Sequence, residues 1–112
     1  MRRSWKWAVA VIAVLAMFVA GTTASLAATK AKKVTVTSAF AFSPKTVTIA
    51  KNHRVKWVNS STALHHILFT NGAPFNKDVP IGGSVLKVFH HKGTFHYHCT
   101  IHTFMKGVVK VA

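Results

Sequence analysis

The stretch Phe95-His-Tyr-His-Cys99-Thr-Ile-His102-Thr-Phe-Met105-Lys-Gly107 decides how this chain is read. Its first half alternates. In an extended segment, Phe95, Tyr97 and Cys99 fall on one face and His96 and His98 on the other. The aromatic face belongs to a core and the histidine face to solvent. A half-buried strand is therefore expected over 94–99, with the cysteine pointing inward at its end. In the second half, the only cysteine is followed at steps of three by His102 and Met105. A thiolate, an imidazole and a thioether this close together are soft donors, which suit copper far better than calcium or magnesium.

One more imidazole would complete a set of two histidines and one cysteine with a weak axial methionine, the ligand set of blue copper centres. Candidates lie upstream in Val55-Lys-Trp57-Val-Asn59-Ser-Ser-Thr-Ala-Leu-His65-His66-Ile-Leu-Phe69, where a strand-like run, a polar turn and a second apolar run succeed one another. On the residues alone, His65 and His66 are both open as the ligand. Met105 is open as an axial ligand or a core side chain, and Cys99 as a ligand or a buried structural thiol.

The rest of the chain supplies the frame. Short alternating runs appear at 34–37, 46–49, 55–58, 67–69, 85–89, 94–99 and 108–111, separated by turn signals at Ser43-Pro44, Asn52, Asn71-Gly72, Gly82-Gly83 and Gly93. Runs of this length and spacing predict an all-β, antiparallel Greek-key β-sandwich. No sustained helical period follows Ala28, and no repeat or linker divides the chain. Trp57 is expected to fill the core.

These residues together resemble the small cupredoxins of the plastocyanin, pseudoazurin and amicyanin type. The resemblance rests on Phe40-Ala-Phe42-Ser-Pro44, Val47-Thr-Ile49, Val55-x-Trp57-x-Asn59, His65, Gly82-Gly83, and Gly93-Thr-Phe95-x-Tyr97-x-Cys99-x-x-His102-x-x-Met105-x-Gly107. It covers roughly residues 34–112, and the short Cys99–His102–Met105 steps are most similar to the amicyanin loop. It implies a cupredoxin-like fold and one copper cycling between Cu(II) and Cu(I), held by His65, Cys99, His102 and Met105. His65 is favoured over His66 because it stands six residues after Asn59. The resemblance also implies that the backbone N–H of His66 donates to the cysteine sulfur. Asn59 and Thr100 are expected beside the ligands, with the Thr100 hydroxyl tying two loops together. The chain departs from the pattern at Asn52, where glycine is usual, at Ser61 and His53, where an acid is common, and at Thr103, where proline often stands.

The N-terminus reads as a signal peptide over residues 1–27. It has a basic start, an apolar run over 8–20 too short to span a bilayer comfortably, and a small-x-small cleavage site at Ser25-Leu-Ala27. Residues 28–33 are expected to form a flexible basic tail and residues 34–112 the domain. Export would place the protein in the periplasm, outside the cell or at the cell envelope. A lone cysteine cannot form an internal disulfide there, and metal ligation explains its retention.

Fifteen Lys and Arg oppose one acid, Asp78. Such a field favours anionic partners and salt-dependent encounters. The bases are scattered along the chain, which together with export argues against nucleic acid. An acidic redox partner protein is expected, with possible contact to the anionic envelope, and the chain itself is expected to be a monomer. The function implied is electron transfer without catalysis. Copper storage, delivery or resistance, and a subunit of a copper reductase or oxidase, are the alternatives. Six further histidines (His53, His66, His90, His91, His96, His98) are read mainly as solvated polar residues, with His96 and His98 as a candidate second metal site because they share a strand face.

Overall fold

A computed structural model describes residues 30–112, so the expected signal peptide and cleavage site lie outside the described residues. Nine strands run in order: β1 (Lys32–Val36), β2 (Phe42–Ser43), β3 (Thr46–Ile49), β4 (Arg54–Asn59), β5 (His65–Phe69), β6 (Asn76–Val79), β7 (Ser84–Val88), β8 (Gly93–His98) and β9 (Lys106–Val111). They form a four-stranded sheet, β2-β1-β4-β7, packed on a five-stranded one, β3-β9-β8-β5-β6. No helix occurs among the described residues.

The alternation seen in the sequence is the alternation of burial. Val47 and Ile49 of β3, Val55 and Trp57 of β4, Phe95 and Tyr97 of β8, and Val109 and Val111 of β9 all turn inward. Trp57 is fully buried and meets Tyr97 edge-on, with ring centres 5.4 Å apart, while Phe75 stacks beside it at 5.7 Å. Phe42, Phe69, Phe89 and Phe95 extend this aromatic core. Among the described residues, Trp57 Nε1 and the Tyr97 hydroxyl are buried with no polar partner but each other, short of good hydrogen-bond geometry, and burial pushes the Tyr97 pKa up.

Three features differ from the sequence expectation. The sheets are mixed, because β1 runs parallel to β4 and β3 parallel to β9. Strand alternation reports which face is buried and is blind to the direction of the neighbour. β1 begins at Lys32, so Lys32 and Lys33 pair with Val55 and Lys56 in the ladder and do not belong to a tail. Their backbones find partners beside β4 while their side chains stay in solvent. The two-residue β2 at the sheet edge was too short to leave a period.

One end of the sandwich collects the site. Val36 stands beside Asn59, Val58 beside Ser84, His65 beside Val79, and His98 beside Lys106. The β1–β2, β4–β5, β6–β7 and β8–β9 connections therefore share that end. The opposite end holds the Asn52 turn, where Asn52 adopts a left-handed φ of 71°. Asparagine tolerates that conformation, so the turn forms without the usual glycine.

Candidate metal centre

Cys99 follows β8 directly, on the inward phase already set by Phe95 and Tyr97, and its side chain is fully buried. The loop from Cys99 to Met105 is closed by its own backbone. Cys99 N–H donates to Met105 O at 3.0 Å, and Met105 N–H donates to His102 O at 2.9 Å. These bonds fold the loop back so that His102 and Met105 return to the cysteine. Met105 is 2% exposed. His65 opens β5, with its ring buried on the side facing the sulfur.

Three donor atoms converge. Cys99 Sγ lies 3.8 Å from His65 Nδ1 and 3.9 Å from His102 Nδ1, and the two nitrogens are 3.2 Å apart. The centre of this triangle is about 2.1 Å from every corner. That matches metal–imidazole bonds of about 2.0–2.1 Å and approaches metal–thiolate bonds of about 2.3 Å. The donor set thus fits one small, soft-binding metal ion. Among the described residues, this is the one group of three or more histidine, cysteine or acidic side chains so placed.

The surroundings fix the donors. Two backbone N–H groups, of His66 and His102, donate to Cys99 Sγ at 3.4 Å each. They hold the sulfur in position between the two imidazoles. The His66 bond is the one the resemblance implied. His65 Nε2 lies 2.8 Å from Ser61 Oγ. Ser61 Oγ is also 2.7 Å from Asn59 Oδ1, which can only accept. The serine hydroxyl donates to Asn59 Oδ1, with Ala63 O a second acceptor at 3.1 Å, and Ser61 accepts from His65. Ala63 N–H adds a second bond to the same oxygen at 3.2 Å. This network places the His65 proton on Nε2 and leaves the Nδ1 lone pair turned toward the sulfur. Burial, and then the neighbouring His102, hold the His65 pKa below its ordinary value.

Asn59 anchors this arrangement. Its Nδ2 donates to Ala63 O at 2.8 Å and to Val79 O at 2.9 Å, joining the β4–β5 turn to β6 in the facing sheet. Phe40, held at a left-handed φ of 57°, packs its ring against His65 at 5.1 Å and His102 at 4.6 Å.

Of the residues expected at the site, His65, Cys99, His102 and Met105 come together, with Asn59 and His66 beside them. Thr100 is exposed, and its hydroxyl makes no hydrogen bond among the described residues; the loops are tied through Asn59 and Ser61 instead. His66 turns its ring outward, where Nδ1 meets Asp78 Oδ1 at 2.5 Å and Nε2 meets Asn76 Oδ1. Partial burial opposes its charge, but these bonds and the charge of Asp78 outweigh that and raise its pKa. Sequence reasoning missed Ser61 and Phe40 at the site. The missing acid at position 61 was the available signal for Ser61.

Residues 9–111 match the cupredoxin-like domain family. An amicyanin-alpha from Methylorubrum extorquens is 35% identical over 77 residues, 62% of this chain and 63% of that protein, so the match spans less than two thirds of that relative. Among solved structures, the copper(I) form of an amicyanin variant aligns with a TM-score of 0.68 at 25% identity, covering 73% of this chain and 82% of that one. A purple cupredoxin from Nitrosopumilus maritimus aligns at 0.65 and 24% identity, covering 72% and 99%. A copper-containing nitrite reductase from Thermus scotoductus aligns at 0.68 and 23%, covering 74% of this chain and 22% of that one. These last two are likenesses of fold.

Proposed function

Because the chain belongs to the cupredoxin-like domain family, we propose that it is an exported electron carrier holding one copper through His65, Cys99, His102 and Met105. The observation that carries this reading is the buried triangle of Cys99 Sγ, His65 Nδ1 and His102 Nδ1. Bound there, copper would supply reversible one-electron exchange between Cu(II) and Cu(I). The chain contributes a ligand set held in place by hydrogen bonds, so little has to rearrange as the charge changes. On this reading the protein acts as a carrier.

His102 is the electron port. Its side chain is half-buried, and exposed apolar side chains at the same end, Leu64, Ile81, Ile101 and Phe104, frame it. A rim of this kind excludes water and allows close approach of a partner. The bases on the flanks favour an acidic redox partner.

Storage or delivery is supported by the surplus of histidines. It fits less well with a fully buried cysteine and His65 locked from behind by Ser61. Copper stoichiometry with voltammetry separates the two. One firmly held copper per chain with a reversible wave is expected. Several firmly held coppers, or ready loss of the buried copper to a chelator, would overturn the carrier reading.

A further inference from the structure

The outer face of the five-stranded sheet carries histidines that the buried centre does not use. His96 and His98 stand two residues apart on β8, both pointing away from the core. Among the described residues, neither ring has a hydrogen-bond, ion-pair or aromatic partner. The other histidines are engaged or isolated. His65 and His102 belong to the buried centre, His66 is held by Asp78 and Asn76, and His90 meets Asn52 at 3.1 Å. His53 and His91 lie toward the opposite end.

We propose that His96 and His98 form a second, exposed site for a divalent transition metal such as Zn(II), on the face of β8 opposite Cys99. Same-face neighbours on a strand have Cα atoms about 6.6 Å apart, twice the rise per residue. Two imidazoles so spaced can lean together and bind one ion through a nitrogen each, with the remaining positions filled from solution. Both rings line an open hollow of about 580 Å³, shared with Thr70, Thr103, Lys45 and Lys106. The strand beneath is held firmly: Asn71 Oδ1 accepts from His96 N–H at 2.8 Å, and Thr70 N–H donates to His96 O at 2.9 Å. A fixed backbone reduces the ordering that binding must impose.

The lysines define the ligand further. Lys106 pairs with His98 across the ladder, and Lys45 borders the same hollow. Two ammonium groups repel a bare divalent ion and attract an anion riding on it. The site therefore holds metal weakly and exchangeably, and favours an ion that brings an anionic co-ligand. It is separate from the buried centre, because Cys99 and the two histidines face opposite sides of one strand.

The test is calorimetric titration of the full chain, already carrying one copper, with zinc chloride. One Zn(II) per chain is expected to bind, and more tightly when phosphate is added. His96→Gln and His98→Gln should each weaken it by more than the roughly tenfold that losing a mere outer partner of a ligand can cost. His90→Gln, at the far end, should leave it unchanged. The visible band of the copper form reports that each variant is folded. Absence of zinc binding at millimolar zinc, or binding equal in the parent and both variants, would overturn the proposal. Zinc uptake that survives His96→Gln but is lost in Cys99→Ser would place the metal in the buried centre, and would count against this site without touching the carrier reading.

Discussion

At His65 the two ring nitrogens have different tasks, and the residue behind the ring assigns them. Ser61 Oγ accepts a hydrogen bond from Nε2–H and donates one to Asn59 Oδ1. Ser61→Ala would leave a buried imidazole N–H without an acceptor, which costs about 1–3 kcal/mol. Metal affinity should fall roughly 10–100-fold, as it does when the outer partner of a ligating histidine is lost. Denaturant unfolding and competition with a copper chelator measure the two effects. Unchanged affinity would mean that Phe40 alone orients the ring. The ligands themselves should divide by role: Met105→Gln should keep copper and shift the potential, because an axial ligand is weak and tunes, whereas His65→Ala should lose the metal. Equal copper loss in both would contradict that division. Cys99, His102 and Met105 were legible because their spacing is local. Ser61 was not, since a serine in a polar turn looks the same whether or not a histidine returns to it.

At the scale of elements, the β8–β9 hairpin sets the position of the loop between its strands. Tyr97 lies opposite Gly107 in the ladder, and a Cβ at Gly107 would run into Cζ and the hydroxyl of Tyr97. The glycine is there to admit the ring. Gly107→Ala should destabilise the fold by about 1–3 kcal/mol, the usual cost of overpacking a filled core. It should also shift the visible spectrum of the copper form, because Met105 stands two residues away. Adding Tyr97→Leu should recover part of the loss, since neighbouring changes are not additive; additive losses would show that the ring is not the obstacle. The sequence displayed this hairpin clearly in Phe95, Tyr97, Val109 and Val111. It concealed the parallel pairings of β1 with β4 and β3 with β9, because a period of two says nothing of the partner strand. It also concealed β6, whose Asn76-Lys-Asp-Val79 is a polar edge with a single buried side chain.

Across the whole molecule, charge surrounds the apolar surface. The port end exposes Ile81, Ile101 and Phe104, with Lys45 and Lys106 at its margin, while Lys33, Lys56 and Lys110 stand on the strands of the flanks. The one acid, Asp78, is occupied by His66. Long-range attraction should then bring an acidic partner close, and short-range apolar contact should hold it at His102. Exposed charges more than about 8 Å apart are largely screened at physiological salt. The second-order rate of electron exchange with an acidic redox protein should therefore fall steeply across a salt series, as read by stopped flow. A flat rate would separate the basic surface from the port and leave the anionic envelope as its target.

The central claim is that Cys99 binds copper as a thiolate between His65 and His102. Optical and electron spin resonance spectra of the Cu(II)-loaded protein, beside those of Cys99→Ser, test it most directly. An intense visible band from thiolate-to-copper charge transfer, present in the parent and absent in the variant, is the predicted result. A parent that shows only the weak bands of nitrogen- and oxygen-bound copper, or a colour that survives Cys99→Ser, would contradict it.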